Sequence, residues 1–242
     1  MNQILITEKL YITPELKKKK NRYKIYFIIS IIFIIFLLIF SIYYEYDRNK
    51  SEQVSKEILQ NMNNNYGKTD IIMVVLNNEN ISDSSSSDTS FEKLKNSYNM
   101  YETVINGFKC TAVAEITIPR LNINYPILKG ETGSKEETEA LLKSSPIEFY
   151  GNGDNKPGNF CVAGHNYRNE KFFSKILNLD IGDIIEIEAD NKKIEYAVYN
   201  KYEVIPEDDS CTNQNTNGKK EVTLITCTND SKKRVIVKAR EI

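Results

Sequence analysis

The residues best suited to chemistry lie on one predicted hairpin. Glu221-Val222-Thr223-Leu224-Ile225-Thr226-Cys227 reads as a strand ending on a thiol. Thr228 to Ser231 are turn formers. Lys232, Lys233 and Arg234 follow, and then a second strand. The pattern predicts a thiol on one arm and a guanidinium on the other, both beside the turn. A free thiol titrates near ~8.5, and nearby positive charge lowers that value toward reactivity. Arg is a permanent cation with a rigid donor fork, suited to an oxyanion or a substrate carbonyl. The chain has one His, His165, in Ala163-Gly164-His165-Asn166-Tyr167. A lone His is more often a surface or core residue than a catalyst. Any Cys/His chemistry in this chain must nevertheless use it.

The other cysteines carry less signal. Cys110, Cys161 and Cys211 read as buried or unpaired thiols without a role. In an exported chain, four cysteines also allow two disulfides in any of three pairings. There is no C-x-x-C pair, so neither a zinc ribbon nor a thioredoxin-like site is expected. A single His removes zinc sites that need two or three. Acidic residues are plentiful (Glu136, Glu137, Glu139, Glu148, Asp154, Glu207, Asp208 and Asp209), and they read as a solvated surface.

These side chains need a scaffold, and the alternation of apolar residues describes one. Strands are expected at Ala112 to Ile118, Ile123 to Leu128, Asn159 to Ala163, Asp183 to Ala189, Lys193 to Ile205, Glu221 to Cys227 and Arg234 to Ala239. Ser134 to Ser144 reads as a helix with Ser134 as N-cap and Glu137 at the capping-box position. Asn169 to Leu179 reads as a short helix. Many short strands with few helices point to a closed or nearly closed β-barrel over residues 105–242.

The rest of the chain is organised differently. The formal net charge is −1, from 32 Lys+Arg against 33 Asp+Glu, which argues against a general nucleic-acid binder. Residues 1–24 nevertheless carry +5, with Lys17 to Lys20, Arg22 and Lys24 clustered. Residues 25–44 carry no charge, and 15 of those 20 are Ile, Leu or Phe. At ~1.5 Å per residue this block spans ~30 Å, the thickness of a bilayer's hydrocarbon core. A buried soluble helix or a cleaved signal peptide are the alternatives, but no A-x-A-like site follows. The expected reading is an uncleaved transmembrane helix with the basic tail in the cytoplasm and the remainder outside. Residues 45–104 include Asn61 to Asn65 and Ser82 to Ser90, and they read as a polar extracellular stalk. Within it, residues 51–62 could form a short helix and Ile71 to Leu76 a strand.

Thr223-Leu224-Ile225-Thr226-Cys227 with Arg234 on the next strand resembles the TLxTC…R signature of sortases. Phe160 to His165 resembles that family's strand ending in a Gly-His loop. Glu115 to Pro119 with Pro126-Ile127, and Phe172-Phe173 through Gly182-Asp183, are similar to two weaker family features. The resemblance covers roughly residues 105–242. It implies a cysteine transpeptidase on a closed eight-stranded β-barrel, preceded by a transmembrane helix and stalk. It implies that Cys227 attacks a Thr-Gly-type bond in an LPxTG-like sorting signal and that His165 moves the proton. Arg234 would hold the oxyanion or the substrate backbone, and Thr226 would help line the substrate site. The acceptor would be a cell-wall precursor amine, with no metal or organic cofactor. Neither the aromatic lid nor the second membrane segment of pilus-building members is evident. Residues 206–220 are short for members that insert a helix there. Two competing readings use the same residues: a thiol hydrolase on the same scaffold, and a non-catalytic surface module with an inert Cys227.

Overall fold

A computed structural model describes residues 14–66 and 101–242, apart from residues 152, 154, 155 and 191. The expected strand at Ile71 to Leu76 lies outside the described residues. The chain divides into two compact units, one ending at Asn49 and the other running Lys50–Ile242.

The first unit is built on helix α1, Pro14–Tyr66, which extends into the second unit. Its span Lys17–Asn63 is long and apolar enough to cross a membrane, with a mean hydropathy of 3.1 in its most apolar window and none of that window buried. A helix apolar on every side has no polar face to give to water, so lipid is its natural surrounding. The segment expected as a separate short helix, 51–62, is the continuation of α1.

The second unit is a barrel. Strand β1 (Tyr101–Ile105) forms a hairpin with β2 (Phe108–Ile118). The two-residue turn Asn106-Gly107 has both φ angles positive, the backbone of a type I′ turn. Pairing therefore begins at Tyr101, ahead of the boundary expected at 105. Then come β3 (Ile123–Gly130), α2 (Lys135–Leu142), β4 (Ile147–Tyr150) and β5 (Gly158–Ala163). The remaining strands are β6 (Ile184–Ala189), β7 (Lys192–Val204), β8 (Lys220–Cys227) and β9 (Arg234–Glu241). The order is β1-β2-β3-β4-β5-β8-β9-β7-β6, and β6 pairs back onto β2. Eight strands, β2 to β9, thus close a ring, with β1 added outside it. Most neighbours run antiparallel, but β3–β4 and β5–β8 run parallel.

Two corrections concern local structure. Asn169 to Leu179 is not an α-helix: a 3₁₀ segment covers only Phe173–Asn178. Positive φ angles at Arg168, Glu170 and Phe172 are incompatible with a helix starting earlier. Glu137 does not belong to a solvated acidic face. It is 2% exposed, and its carboxylate accepts hydrogen bonds from the backbone N–H groups of Glu131, Thr132 and Gly133 and from the Thr132 hydroxyl. Burial alone would raise its pKa, but these donors outweigh it and hold the carboxyl below its usual range. Ser134 caps α2 as expected, accepting from Glu137 N–H at 3.2 Å.

Among the described residues there are two cores, one on each face of the sheet. The barrel interior holds Ile116, Ile127, Phe160, Val162, Phe173 and Leu224 among others. The outer core holds Ile58 and Met62 of α1 with Ile105, Cys110, Ala112, Leu128, Leu141 and Ile147. Strand β2 serves both. Cys110 and Ala112 point outward, whereas Ala114, Ile116 and Ile118 point inward, although all five share one parity. A β-bulge between Ala112 and Ala114 inserts one residue and turns the strand over.

Candidate active site

The hairpin β8–β9 places the thiol and the guanidinium. Its register pairs Thr226 with Val235 and Cys227 with Arg234. Thr228 and Asp230 tie the connecting turn: Thr228 N–H donates to the Lys233 carbonyl at 3.0 Å, and Lys232 N–H to Asp230 Oδ1 at 3.1 Å. Of the three basic residues after Cys227, Lys233 turns away to pair with Glu203 at 3.1 Å. Only Arg234 of the three lines the cavity that Cys227 lines.

Strand β5 brings His165 to the same place. It runs parallel to β8 with Ala163 opposite Ile225. The pairing continues one step beyond the strand, Gly164 N–H donating to the Ile225 carbonyl at 3.0 Å. The Thr226 hydroxyl donates to the Gly164 carbonyl at 2.8 Å. The Asn166 amide donates to the Cys227 carbonyl at 2.9 Å. These three bonds fix the segment carrying His165 against the strand carrying Cys227. Gly164 is required by a close approach: a Cβ there would lie 2.6 Å from the Phe173 ring.

Cys227, His165, Arg234 and Thr226 line one cavity of about 330 Å³. The segment after β7 also lines it, with Pro206, Asp208, Asp209, Cys211 and Thr212, as do Leu142 and Phe149. A neighbouring groove of about 480 Å³ lies past Phe149, between α2 and β4, and contains none of these four residues. Burial lowers the His165 pKa below its ordinary value, with Lys143 adding to the shift and Glu139 opposing it. The shift favours the neutral imidazole, the form that can accept a proton.

The four cysteines are free thiols, and Cys227 alone among them is partly exposed. Burial pushes Cys110 up to about 11 and Cys161 up to about 12, and it also raises Cys211. A buried thiol that cannot ionise is a poor nucleophile. Among the described residues, no group of three His, Cys, Asp or Glu could hold a metal ion.

Sequence reasoning singled out all four of these residues, and the structure brings them together. It missed Asn166, Asp208, Asp209, Leu142 and Phe149. An Asn after a Gly-His pair reads as an ordinary turn residue, and nothing in residues 206–212 marks that segment as the wall of a cleft.

The closed β-barrel thus sets a thiol and a guanidinium on paired strands, with an imidazole just past the end of the parallel neighbour β5. A sequence model of the sortase domain matches residues 116–242, and the chain belongs to the sortase family. Among solved structures, the Clostridium perfringens sortase D5 transpeptidase is similar at 24% identity. That match covers 79% of this chain and 99% of the other, with a TM-score of 0.54. Sortase C-1 from Actinomyces oris matches at 22% identity over 54% of this chain and 74% of its own, with a TM-score of 0.48. Streptococcus agalactiae sortase C1 matches at 24% over 53% and 66%, with a TM-score of 0.47. No curated protein matches the sequence.

Proposed function

We propose that this sortase is a membrane-anchored cysteine transpeptidase that cleaves an LPxTG-like sorting signal and passes the surface protein to a cell-wall amine. The observation that carries the reading is the direct pairing of Cys227 with Arg234 in a cavity also lined by His165. His165 takes the proton of the Cys227 thiol, and the resulting thiolate attacks the carbonyl carbon of the scissile bond. Arg234 donates hydrogen bonds to the oxygen as it becomes an oxyanion. The tetrahedral species collapses, the C–N bond breaks, and His165 in its protonated form gives its proton to the leaving amine. The acyl group is left as a thioester on Cys227, which conserves the energy of the broken amide. An incoming amine attacks that thioester, His165 takes its proton, and Cys227 is released. Thr226 lines the peptide site, and its bond to Gly164 keeps His165 at the thiol. The chemistry calls for no metal or organic cofactor. The basic cluster ahead of the apolar helix supports a cytoplasmic N-terminus and an extracellular barrel.

The test is product analysis. The full chain in detergent is incubated with a library of LPxTG-like peptides, with and without a primary amine. Cleavage, a thioester adduct on Cys227 and an amine-linked product are expected. Cleavage with water as the only acceptor, at any amine concentration, would make the chain a hydrolase. An unlabelled Cys227 and no cleavage would make it an inert module.

A further inference from the structure

The loop that carries His165 is irregular, and something must hold it. Between Asn166 and Phe172, which are bridge partners, three non-glycine residues have positive φ: Arg168 at 58°, Glu170 at 67° and Phe172 at 48°. Phe172 also has ψ −124°, a combination that only glycine adopts freely. Such conformations persist where the surroundings over-determine them. The next residue, Phe173, donates its N–H to the His165 carbonyl at 3.1 Å, so the far end of the loop sets the imidazole's backbone.

Two other parts of the molecule grip this loop. On the hairpin side, Arg168 donates to the Ser231 hydroxyl at 3.0 Å and Asn166 to Asn229 Oδ1 at 3.0 Å. On the other side stands the part of α1 that belongs to the barrel unit. Lys171 Nζ lies 3.1 Å from Glu52 Oε2, with side-chain exposures of only 15% and 22%. Glu52 itself is oriented by Lys56 at 2.9 Å, one helical turn on. The helix is firmly seated there. Ser145 spends its proton on the Pro126 carbonyl at 2.6 Å, so Ser55 donates to Ser145 at 3.0 Å, with both serines buried. Ile58 and Met62 fill the outer core. The backbone N–H of Phe172, adjacent to Lys171, donates to the Tyr125 hydroxyl at 3.3 Å.

We propose that Glu52 and Lys171 are positioning residues: the helix that follows the apolar span clamps the strained loop and thereby holds His165 at Cys227. This rests on His165 being the proton carrier, but the clamp can be read without any turnover. His165 is the single His of the chain, so its ring gives one signal in the ¹³C-His-labelled full chain in detergent. Glu52→Gln keeps the shape of the side chain and removes its charge. Lys171→Met keeps the stem and removes the ammonium. Each is expected to shift or broaden the His165 signal and to lower kcat about tenfold with KM within about twofold. The charge swap of all three partners, Glu52→Lys with Lys56→Glu and Lys171→Glu, is expected to return both readouts toward the parent. A clamp that is only structural would lower Tm while leaving the His165 signal and kcat unmoved below it, and that result overturns the proposal. Failure of the charge swap to restore either readout overturns it as well. If the His165 signal responds but His165→Ala remains active, the clamp stands and the catalytic reading of His165 fails.

Discussion

The two halves of the proposed active site are built by opposite means. Cys227 and Arg234 arrive on a regular antiparallel ladder, seven consecutive pairs from Glu221↔Arg240 to Cys227↔Arg234. Backbone pairing alone fixes their separation. His165 arrives on a loop with three residues at positive φ, held by bonds to other segments. The first half tolerates change at its chemical groups because the ladder does not depend on them. The second half depends on residues that do no chemistry.

That contrast can be broken by substitution. The largest effect is expected for Cys227→Ala, which should abolish peptide cleavage and the thioester adduct seen by mass spectrometry. Its stability should stay within about 0.5 kcal/mol of the parent, because the partly exposed side chain at the ladder's end packs little. A large loss of stability would place Cys227 in the core instead. His165→Ala should lower kcat/KM by roughly 10²–10⁴, and Arg234→Ala by roughly 10²–10³. Equal KM changes with kcat intact would reduce both to simple binding residues.

Gly164→Ala sharpens the comparison, since it alters neither His165 nor Cys227. The new methyl meets the Phe173 ring at 2.6 Å. Overpacking of this kind costs about 1–3 kcal/mol, and kcat should fall because His165 is the next residue. Met62→Ala acts farther away. Its side chain is 2% exposed in the outer core, so denaturant unfolding should show a loss of about 2–5 kcal/mol.

The smallest effect concerns charge. The single His165 resonance should titrate with a midpoint below its ordinary ~6.5. Removing the neighbouring cation with Lys143→Ala should raise the midpoint, and Glu139→Ala should lower it further. The depressed value also means that the unfolded chain binds the proton more tightly than the folded one. This group's contribution to stability is therefore present above ~6.5 and is lost as pH falls through the folded value. A midpoint above 6.5 would place His165 beside an uncompensated carboxylate rather than in a desolvated wall.

The same contrast explains what could be read without a structure. Alternation at Glu221 to Cys227, a turn, and a second alternation specify a hairpin, and a hairpin specifies who faces whom. Period-two patterning also located β2, β3, β6 and β7 within a few residues. The clamp on His165 had no such local sign. Glu52 and Lys171 are 119 positions apart in the chain, and each looks like an ordinary surface charge. The Asn106-Gly107 turn did carry a local signal, since both residues adopt positive φ readily, and it extends the domain back to β1. Glu137 misled for the opposite reason. Its capping-box position is genuine, but the loop at 131–133 offers more donors than the helix end does.

The parallel pairing of β5 with β8 bears on how the protein is made. Gly164 and Thr226 are 62 positions apart, and closing so large a loop loses entropy before any contact offsets it. The antiparallel hairpins β1–β2 and β8–β9 join through short turns and form locally. Imidazole and thiol therefore meet only once β5 and β8 have paired. Until then the chain carries the Cys227 thiol apart from the imidazole that lines the same cavity in the folded state.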